Sequence, residues 1–250
     1  MERLSKSVVA AWRSLDEASV RKEQGLIRLE GPHLVEEGAR AGLLTEILAI
    51  GPAIAGAWSM RLPDVRVTEV TESELARVVE QKTPTGVAAI ARRPRSGDLS
   101  MFARLTAPIL VLEAVQDPGN VGTLARTAAA LGVGLLVTTP GTADPMGVRA
   151  LRASAGALLR IPHVEGTLSE VLNASRAATR LVIVPDVREG EDYRRLNPGR
   201  RWVLLASNEG GGTQVPKGEV GTRRVTIPLQ AEIESLNVGA AIAILLAAWR

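Results

Sequence analysis

Residues 109–132 read ILVLEAVQDPGNVGTLARTAAALG. The apolar run 109–115 predicts a buried β-strand, and the stretch 120–131 predicts an α-helix. The DPG turn between them would place Asn120 at the helix cap and Arg126 almost two turns into the helix. Open α/β sheets bind ligands at the carboxyl ends of their strands, so this region is a candidate site. Arg126 would suit an anionic phosphate there, although a solvated arginine behind an ordinary cap is the simpler interpretation.

Two later segments also follow apolar strands. The segment ASNEGGGT, at 206–213, contains three consecutive glycines that would let the backbone approach a ligand closely, or that form a simple turn. The segment IPLQAEIESLNVGAAIAIL, at 227–245, leads into a nearly all-apolar closing helix, predicted over 235–249 to be completely buried. Ser235 and Asn237 stand at its start, either as helix caps or as polar groups of a site whose floor is the helix N-terminus.

The remaining pattern divides the chain into two α/β parts. Further strands in the C-terminal part are predicted at 134–138, 181–185 and 202–207. With helices between them, they predict a mostly parallel sheet covered by helices on both faces. The first hundred residues alternate strands at 26–30, 45–50 and 86–91 with helices at 32–41 and 72–81, which predicts a smaller α/β domain. We expect domains at 1–97 and 107–250, joined by a linker at 98–106 within the stretch 91–108, which gathers Pro, Gly, Ser and Arg.

Composition excludes several kinds of site. The chain has no cysteine, which excludes disulfides and thiolate metal ligands. Its two histidines, His33 and His163, lie far apart without clustered acidic partners, so no metal is expected. Neither a GxxxxGK[ST] phosphate loop nor a GxGxxG motif after the first strand of either half occurs, which argues against a P-loop enzyme or a simple dinucleotide-binding domain.

The charge is mildly basic. Thirty Lys and Arg, nearly all Arg, oppose 27 Asp and Glu, for a net charge of +3. This surplus suits contact with phosphate, but an ordinary Arg-rich surface explains it equally well. Only six residues are aromatic (Trp 4, Tyr 1, Phe 1), so base stacking would contribute little to RNA recognition. No apolar run is long enough to span a bilayer, and we expect a cytoplasmic protein without a membrane partner.

The three segments, in this order, resemble the SpoU (TrmH) branch of the SPOUT methyltransferases. The matching motifs are DPGNVG at 117–122 with Arg126, SNEG at 207–210, and IPL at 227–229 followed by ESLNV at 234–238. RASAGA at 152–157 matches a further segment of that family. EGPHLVEE at 30–37 and TPTGV at 83–87 are similar to the family's N-terminal substrate-binding domain, which resembles a small ribosomal protein.

The resemblance implies a C-terminal domain with a deep trefoil knot, an exception to the general rule against knots. It implies that S-adenosylmethionine lies, mostly through backbone contacts, against Ser207, Gly210, Ile227, Leu229 and Leu236. It implies catalytic roles for Arg126, Asn120, Glu209, Ser235 and Asn237. Two departures from the family pattern stand out: Ser207 where glycine is common, which would slightly alter the backbone approach, and Gly239 where serine is usual.

The resemblance also implies 2′-O-methylation of RNA ribose by a homodimer that associates through the C-terminal domain, with Arg126 near the interface. The separate N-terminal domain favours ribosomal RNA over the alternative, tRNA. Because arginine stays protonated, we interpret Arg126 as a group that positions phosphate and stabilises a developing alkoxide, rather than as the general base proposed for the family. A catalytically silent RNA-binding ribosome-assembly factor, or a nucleotide-binding enzyme without RNA affinity, is the alternative from another class. The presence of Arg126, Glu209 and Asn237 favours an active enzyme.

Overall fold

A computed structural model of the chain describes residues 4–208, 212–230 and 233–250. The chain divides into two compact units. The first contains the residues up to Pro94 together with Asp144–Arg160. The second contains Arg95–Ala143 and the residues from Ile161 onward. The segment 144–160, which we expected within the C-terminal domain, therefore packs with the N-terminal residues.

The helices and strands follow one another in a regular α/β order. They are α1 (Lys6–Ser14), α2 (Ala18–Gln24), β1 (Leu26–Glu30), α3 (Pro32–Arg40), β2 (Leu44–Ile50), α4 (Gly51–Arg61), β3 (Arg66–Val70), α5 (Glu72–Ala76), β4 (Val87–Arg92), α6 (Met101–Arg104), β5 (Ile109–Glu113), α7 (Pro118–Ala130), β6 (Leu135–Thr138), α8 (Val148–Ala153), β7 (His163–Glu165), α9 (Leu168–Ala177), β8 (Leu181–Pro185), β9 (Glu191–Asp192), β10 (Trp202–Ser207), β11 (Thr222–Thr226) and α10 (Val238–Ala248).

The first unit is built on a four-stranded sheet of order β1-β4-β2-β3. Strand β4 runs antiparallel to both neighbours, whereas β2 and β3 are parallel. Gly31, at a φ of 88°, ends the first strand, and Pro32 begins α3, as the Gly-Pro pair predicts. Helix α5 begins with a capping box between Thr71 and Glu74, but it ends at Ala76, five residues before the predicted end.

The segment 144–160 is tied to the first unit by helix packing and by polar contacts. Helix α8 packs on β1, and the Arg21 guanidinium donates to the Asp144 carboxylate at 2.7 Å. His33 Nε2 lies 3.2 Å from the carbonyl oxygen of Ala155. Gly156 sits against Glu37 so closely that a Cβ there would come within 2.8 Å of Glu37 Cγ. The motif-like stretches 30–37 and 152–157, distant in sequence, are thus in direct contact.

The second unit is built on a seven-stranded sheet of order β7-β6-β5-β10-β8-β11-β9, and all its neighbouring strands are parallel. Alternate side chains of the central strands, such as Val111 and Leu205, form one core with residues of α6 and α9. The intervening side chains, such as Leu110 and Leu204, are equally buried on the opposite face. Helices α7 and α10 pack on each other, and α10 also contacts β10. The predicted parallel sheet with helices on both faces is confirmed.

Residues 98–106, predicted to be a linker, form part of the second unit. They contain α6, and Phe102 is 1% exposed in the core. The buried Arg180 holds this stretch through backbone carbonyls: its Nε donates to Phe102 O at 2.7 Å and its Nη1 to Ala107 O at 3.0 Å. Arg180 lies at least 73 residues after the carbonyl groups that it binds. A long-range contact therefore orders residues 98–106, whose sequence shows no periodicity. Within the ranges described above, no helix is long and apolar enough to cross a bilayer.

Candidate active site

The three motif-bearing segments meet at one edge of the seven-stranded sheet. They follow β5, β10 and β11, and the sheet places β5 beside β10, with β8 between β10 and β11. Because all these strands are parallel, their carboxyl ends lie at the same edge. The fold thus brings together segments that are far apart along the chain, since the first ends at residue 132 and the second begins at residue 206.

A cavity of about 240 Å³ opens at this edge. Its lining is mainly apolar, with side chains from the ends of β8, β10 and β11 and from the start of α10. The lining residues are Pro185, Asp186, Val187, Leu205, Ala206, Ser207, Asn208, Gly212, Thr213, Val225, Ile227, Leu229, Ser235, Leu236, Val238, Ala241 and Ile242. Four residues expected at the methyl donor, Ser207, Ile227, Leu229 and Leu236, are among them, as is Ser235, which was expected to be catalytic. Glu209 and Gly210 lie outside the described residues.

Helix α10 forms one wall of the cavity and differs from the prediction in two ways. It begins at Val238, not Ser235, because Asn237 is its cap: the Asn237 side chain accepts from the Gly239 backbone N–H at 2.9 Å. Ser235 therefore lies in the loop before the helix, facing the cavity. The helix is also not completely buried, since Ile244 is 36% exposed.

Arg126 and Asn120 lie on α7, next to the cavity wall rather than in the lining. The helix begins at Pro118, and its cap is Asp117, whose carboxylate accepts from the Asn120 backbone N–H at 2.8 Å. The predicted cap at Asn120 is therefore wrong: the helix already begins at Pro118, so Asp117 holds the cap position and its carboxylate accepts from a free N–H group of the first turn. Arg126 is exposed, and in the described part of the chain its guanidinium pairs with no carboxylate. It is available to an external anion.

Sequence reasoning missed Asp186, which follows β8 and lines the cavity. Arg224 Nη1 donates to its Oδ2 at 2.7 Å. Burial alone would raise the pKa of the Asp186 carboxyl, but the backbone N–H groups of Arg188 and Glu189, together with the Arg224 guanidinium, outweigh burial and lower it. The apolar strand LVIVP ending directly in an aspartate was the available signal.

Sequence reasoning also missed Glu113, the last residue of β5. Its carboxylate is buried, with 3% of the residue exposed. Ser207 Oγ donates to Glu113 Oε2 at 2.7 Å, and the Gln214 backbone N–H donates to Glu113 Oε1 at 2.7 Å. A single acidic residue at the end of an otherwise apolar strand was the signal in the sequence.

Comparisons with known proteins agree with this architecture. Residues 107–247 match the model of the SpoU rRNA Methylase family, and residues 6–89 match an MRM3-like substrate binding domain. Over 243 residues the chain is 31% identical to the 23S rRNA (guanosine(2553)-2′-O)-methyltransferase RlmP of Bacillus subtilis, covering 95% of this chain and 93% of the relative. Over 187 residues it is 29% identical to the 23S rRNA (adenosine(1067)-2′-O)-methyltransferase of Streptomyces laurentii, covering 73% and 68%.

A solved structure has the same fold. The crystal structure of an AdoMet-bound rRNA methyltransferase from Sinorhizobium meliloti superposes with a TM-score of 0.89 at 26% sequence identity. The superposition covers 100% of this chain and 96% of that chain. The similarity thus extends over both units.

Proposed function

Because the chain belongs to the SpoU rRNA methylase family, we propose that it catalyses S-adenosylmethionine-dependent 2′-O-methylation of a ribose in ribosomal RNA. The observation that carries this proposal is the convergence of the second and third motif-bearing segments around one cavity, with the first segment on the helix that packs against the cavity wall. Arg126, an exposed arginine with no carboxylate partner among the described residues, lies on the helix beside the cavity wall. The relatives named for ribosomal RNA ribose methylation support the substrate.

The cavity suits a nucleoside-containing donor. Leu205, Ile227, Leu229 and Ile242 supply apolar surface, and Ser207 and Asp186 supply polar groups at its margin. S-adenosylmethionine, when bound, supplies an electrophilic methyl group on a sulfonium. The chain's own task is then to align the ribose oxygen and to stabilise the charge that develops on it.

We propose that Arg126 stabilises the negative charge that develops on the ribose oxygen. Its guanidinium is planar, stays protonated at neutral pH and can contact a phosphate or an alkoxide through two N–H groups at once. Asn237 would support this arrangement by fixing the start of α10, which packs on the helix that carries Arg126. Asn120 and Ser235 remain proposed for contact with the ribose, since both lie on segments bordering the site.

We assign RNA selection to the first unit, residues 1–97 in the proposed division, extended by the segment 144–160. Helix α8 of that segment exposes Arg149 and Arg152, three residues apart on one face. In the described part of the chain neither side chain has a carboxylate partner, and residues 145–160 contain no acidic residue. Such a face can contact the phosphates of RNA without reading its bases.

We also propose a homodimer through the second unit. Ala240, Ile244 and Ala247 recur on one exposed face of α10, and that helix contains no charged residue. A second copy of this face would cover it, and α7 packs beside it, which would bring Arg126 near the partner. Sedimentation should show a dimer, and Ile244→Asp should convert it to a monomer. A monomeric wild-type protein would contradict the proposal.

The test of the reaction uses the purified full chain and S-adenosylmethionine labelled in the methyl group. We expect label in 2′-O-methylated nucleosides after digestion of ribosomal RNA. Label only in tRNA would support the tRNA alternative. Binding of ribosomal RNA without binding of S-adenosylmethionine would support a silent assembly factor, and donor binding without RNA affinity would support an enzyme of another class.

A further inference from the structure

Glu113 connects two chain segments that form walls of the cavity. Each of its carboxylate oxygens has one partner: Oε2 accepts from the Ser207 hydroxyl and Oε1 accepts from the Gln214 backbone N–H, both at 2.7 Å. Its own carbonyl oxygen accepts from the Asn208 backbone N–H at 3.2 Å. Ser207 and Thr213, the residue before Gln214, both line the cavity. The buried Glu113 carboxylate therefore lies behind the cavity wall and holds the two segments of that wall, at Ser207 and at Gln214, in place.

The contact with Glu113 depends on the Ser207 side chain, because a glycine at this position would have no hydroxyl to donate. Without that hydroxyl, Oε2 of a buried Glu113 would lose the hydrogen bond at 2.7 Å. A buried carboxylate oxygen without a donor is costly, so Glu113 and Ser207 form a matched pair.

We propose that Glu113 is a positioning residue for the methyl donor, which acts by fixing Ser207 and the backbone at Gln214 in the shape that the donor requires. This inference rests on the proposed function. It assigns the Ser207 hydroxyl to Glu113, so that Ser207 contributes its backbone, and not its hydroxyl proton, to the donor site.

The chain segment after Glu113 adds a reason for its position. Ala114 has a φ of 52°, a left-handed conformation that a non-glycine residue rarely adopts. The Thr139 hydroxyl accepts from the Ala114 backbone N–H at 3.1 Å. This bend directs the chain from β5 into the loop that begins α7. The carboxylate that holds the donor wall is thus adjacent in sequence to the turn that leads into α7, the helix that carries Arg126.

The test compares Glu113→Leu, Glu113→Gln, Ser207→Ala and the double variant Glu113→Leu with Ser207→Ala, all in the full chain. Calorimetry measures the Kd for S-adenosylmethionine, and kinetics separates the KM values for donor and RNA from kcat. We expect Glu113→Leu to weaken donor binding at least tenfold and Glu113→Gln to recover part of the loss, because its amide oxygen still accepts one hydrogen bond. Ser207→Ala should weaken donor binding severalfold, and the KM for RNA should change little.

Non-additivity is the decisive result. Since either single change breaks the same hydrogen bond, the double variant should bind the donor no worse than Glu113→Leu alone. Val111→Ala serves as the control for lost stability, because Val111 lies on the same strand and the same face of the sheet as Glu113, but is buried in the core and does not line the cavity. It should lower the melting temperature without changing the donor Kd.

Three results would overturn the proposal: an unchanged donor Kd in Glu113→Leu, strictly additive effects of the two changes, or an equal loss of donor affinity in Val111→Ala. If Glu113→Leu does not fold, the same cycle with Glu113→Gln and Ser207→Ala decides the question. A wild-type protein that does not bind S-adenosylmethionine would instead contradict the proposed function itself.

Discussion

Gly239, the second residue of α10, lies against Thr123 on α7: a Cβ on Gly239 would come 3.5 Å from Thr123 Cγ2 and 3.1 Å from Asn237 Oδ1. The N-terminus of the helix that forms the cavity wall thus rests on the helix that carries Arg126. The spacing leaves room for one carbon atom if the Asn237 amide shifts slightly, but not for a branched side chain.

We therefore expect Gly239→Ala to be nearly neutral, since the roughly 1 kcal/mol gained in helix propensity offsets the shift of the Asn237 cap. Gly239→Val should destabilise the protein by about 2 kcal/mol, because its methyl groups reach Thr123. Urea unfolding of both variants measures the difference. Equal stability of the two would show that the helices are not in close contact at this point.

Arg126→Ala should lower kcat at least 100-fold, the cost of removing a charge-stabilising group from a transition state. Donor affinity should change less than threefold, because Arg126 is not among the cavity-lining residues. Arg126→Lys should also lose most of its kcat, since a lysine ammonium cannot reproduce the two parallel N–H donors of a planar guanidinium. Arg200→Ala, another exposed arginine of the second unit, is the control and should retain activity. Full turnover in Arg126→Ala would remove this residue from the mechanism.

The sequence predicted the central strands of the second unit well. Strands β8 and β10 have the predicted bounds, and β5 ends two residues before its predicted end. These strands could be predicted because each is an apolar run bounded by turns. The short strands β3, β7 and β11 escaped prediction. Their sequences RVTEV, HVE and TRRVT carry charges and become strands by pairing with neighbours, which is a tertiary effect.

Long-range contacts also explain what was missed in the site and in the division of the chain. The role of Glu113 depends on its hydrogen bond with Ser207, which lies 94 residues later in the chain. The segment 144–160 follows a strand of the second unit in sequence, yet its buried face is completed by residues of the first unit. No local pattern encodes either relationship. The trefoil knot implied by the resemblance stays a prediction.

The Arg21–Asp144 pair should stabilise the first unit in a pH-dependent way. Burial alone would raise the pKa of Asp144, but the Met146 backbone N–H, with the guanidinium groups of Arg21 and Arg93, outweighs it and lowers the pKa. The stabilisation is therefore fully present above the unfolded-state pKa of about 3.9 and is lost as the pH falls through the lower folded-state value.

Asp144→Asn should cost about 3 kcal/mol at neutral pH, because it leaves the nearly buried Arg21 without its counter-ion. The difference from wild type should be smaller at acidic pH than at neutral pH, because Asp144 takes up a proton as the pH falls through its lowered folded-state pKa. Urea unfolding at both pH values measures this. Asp64→Asn, at an exposed position of the same unit, should have little effect at either pH. A difference that does not depend on pH would refute the electrostatic explanation.

The exposed face of α8 should contribute to RNA affinity. The double variant Arg149→Ala with Arg152→Ala should weaken binding of ribosomal RNA about tenfold or more and reduce the salt dependence of binding by about two phosphate contacts. Donor affinity should not change. Arg40→Ala is the matched control, because that arginine is exposed in the same unit but already pairs with Glu36. Equal effects of the control and the double variant would show that overall charge, not this face, determines affinity.

Position-resolved mapping of ribose methylation in ribosomal RNA tests the central claim most directly. RNA would be compared from cells with the wild-type gene, without it, and with the Arg126→Ala variant. The account predicts that a 2′-O-methyl group at a specific ribosomal RNA nucleotide is lost on deletion, returns with the wild-type protein and does not return with the variant. An unchanged ribose methylation map, or recovery of the methyl group with Arg126→Ala, would contradict it.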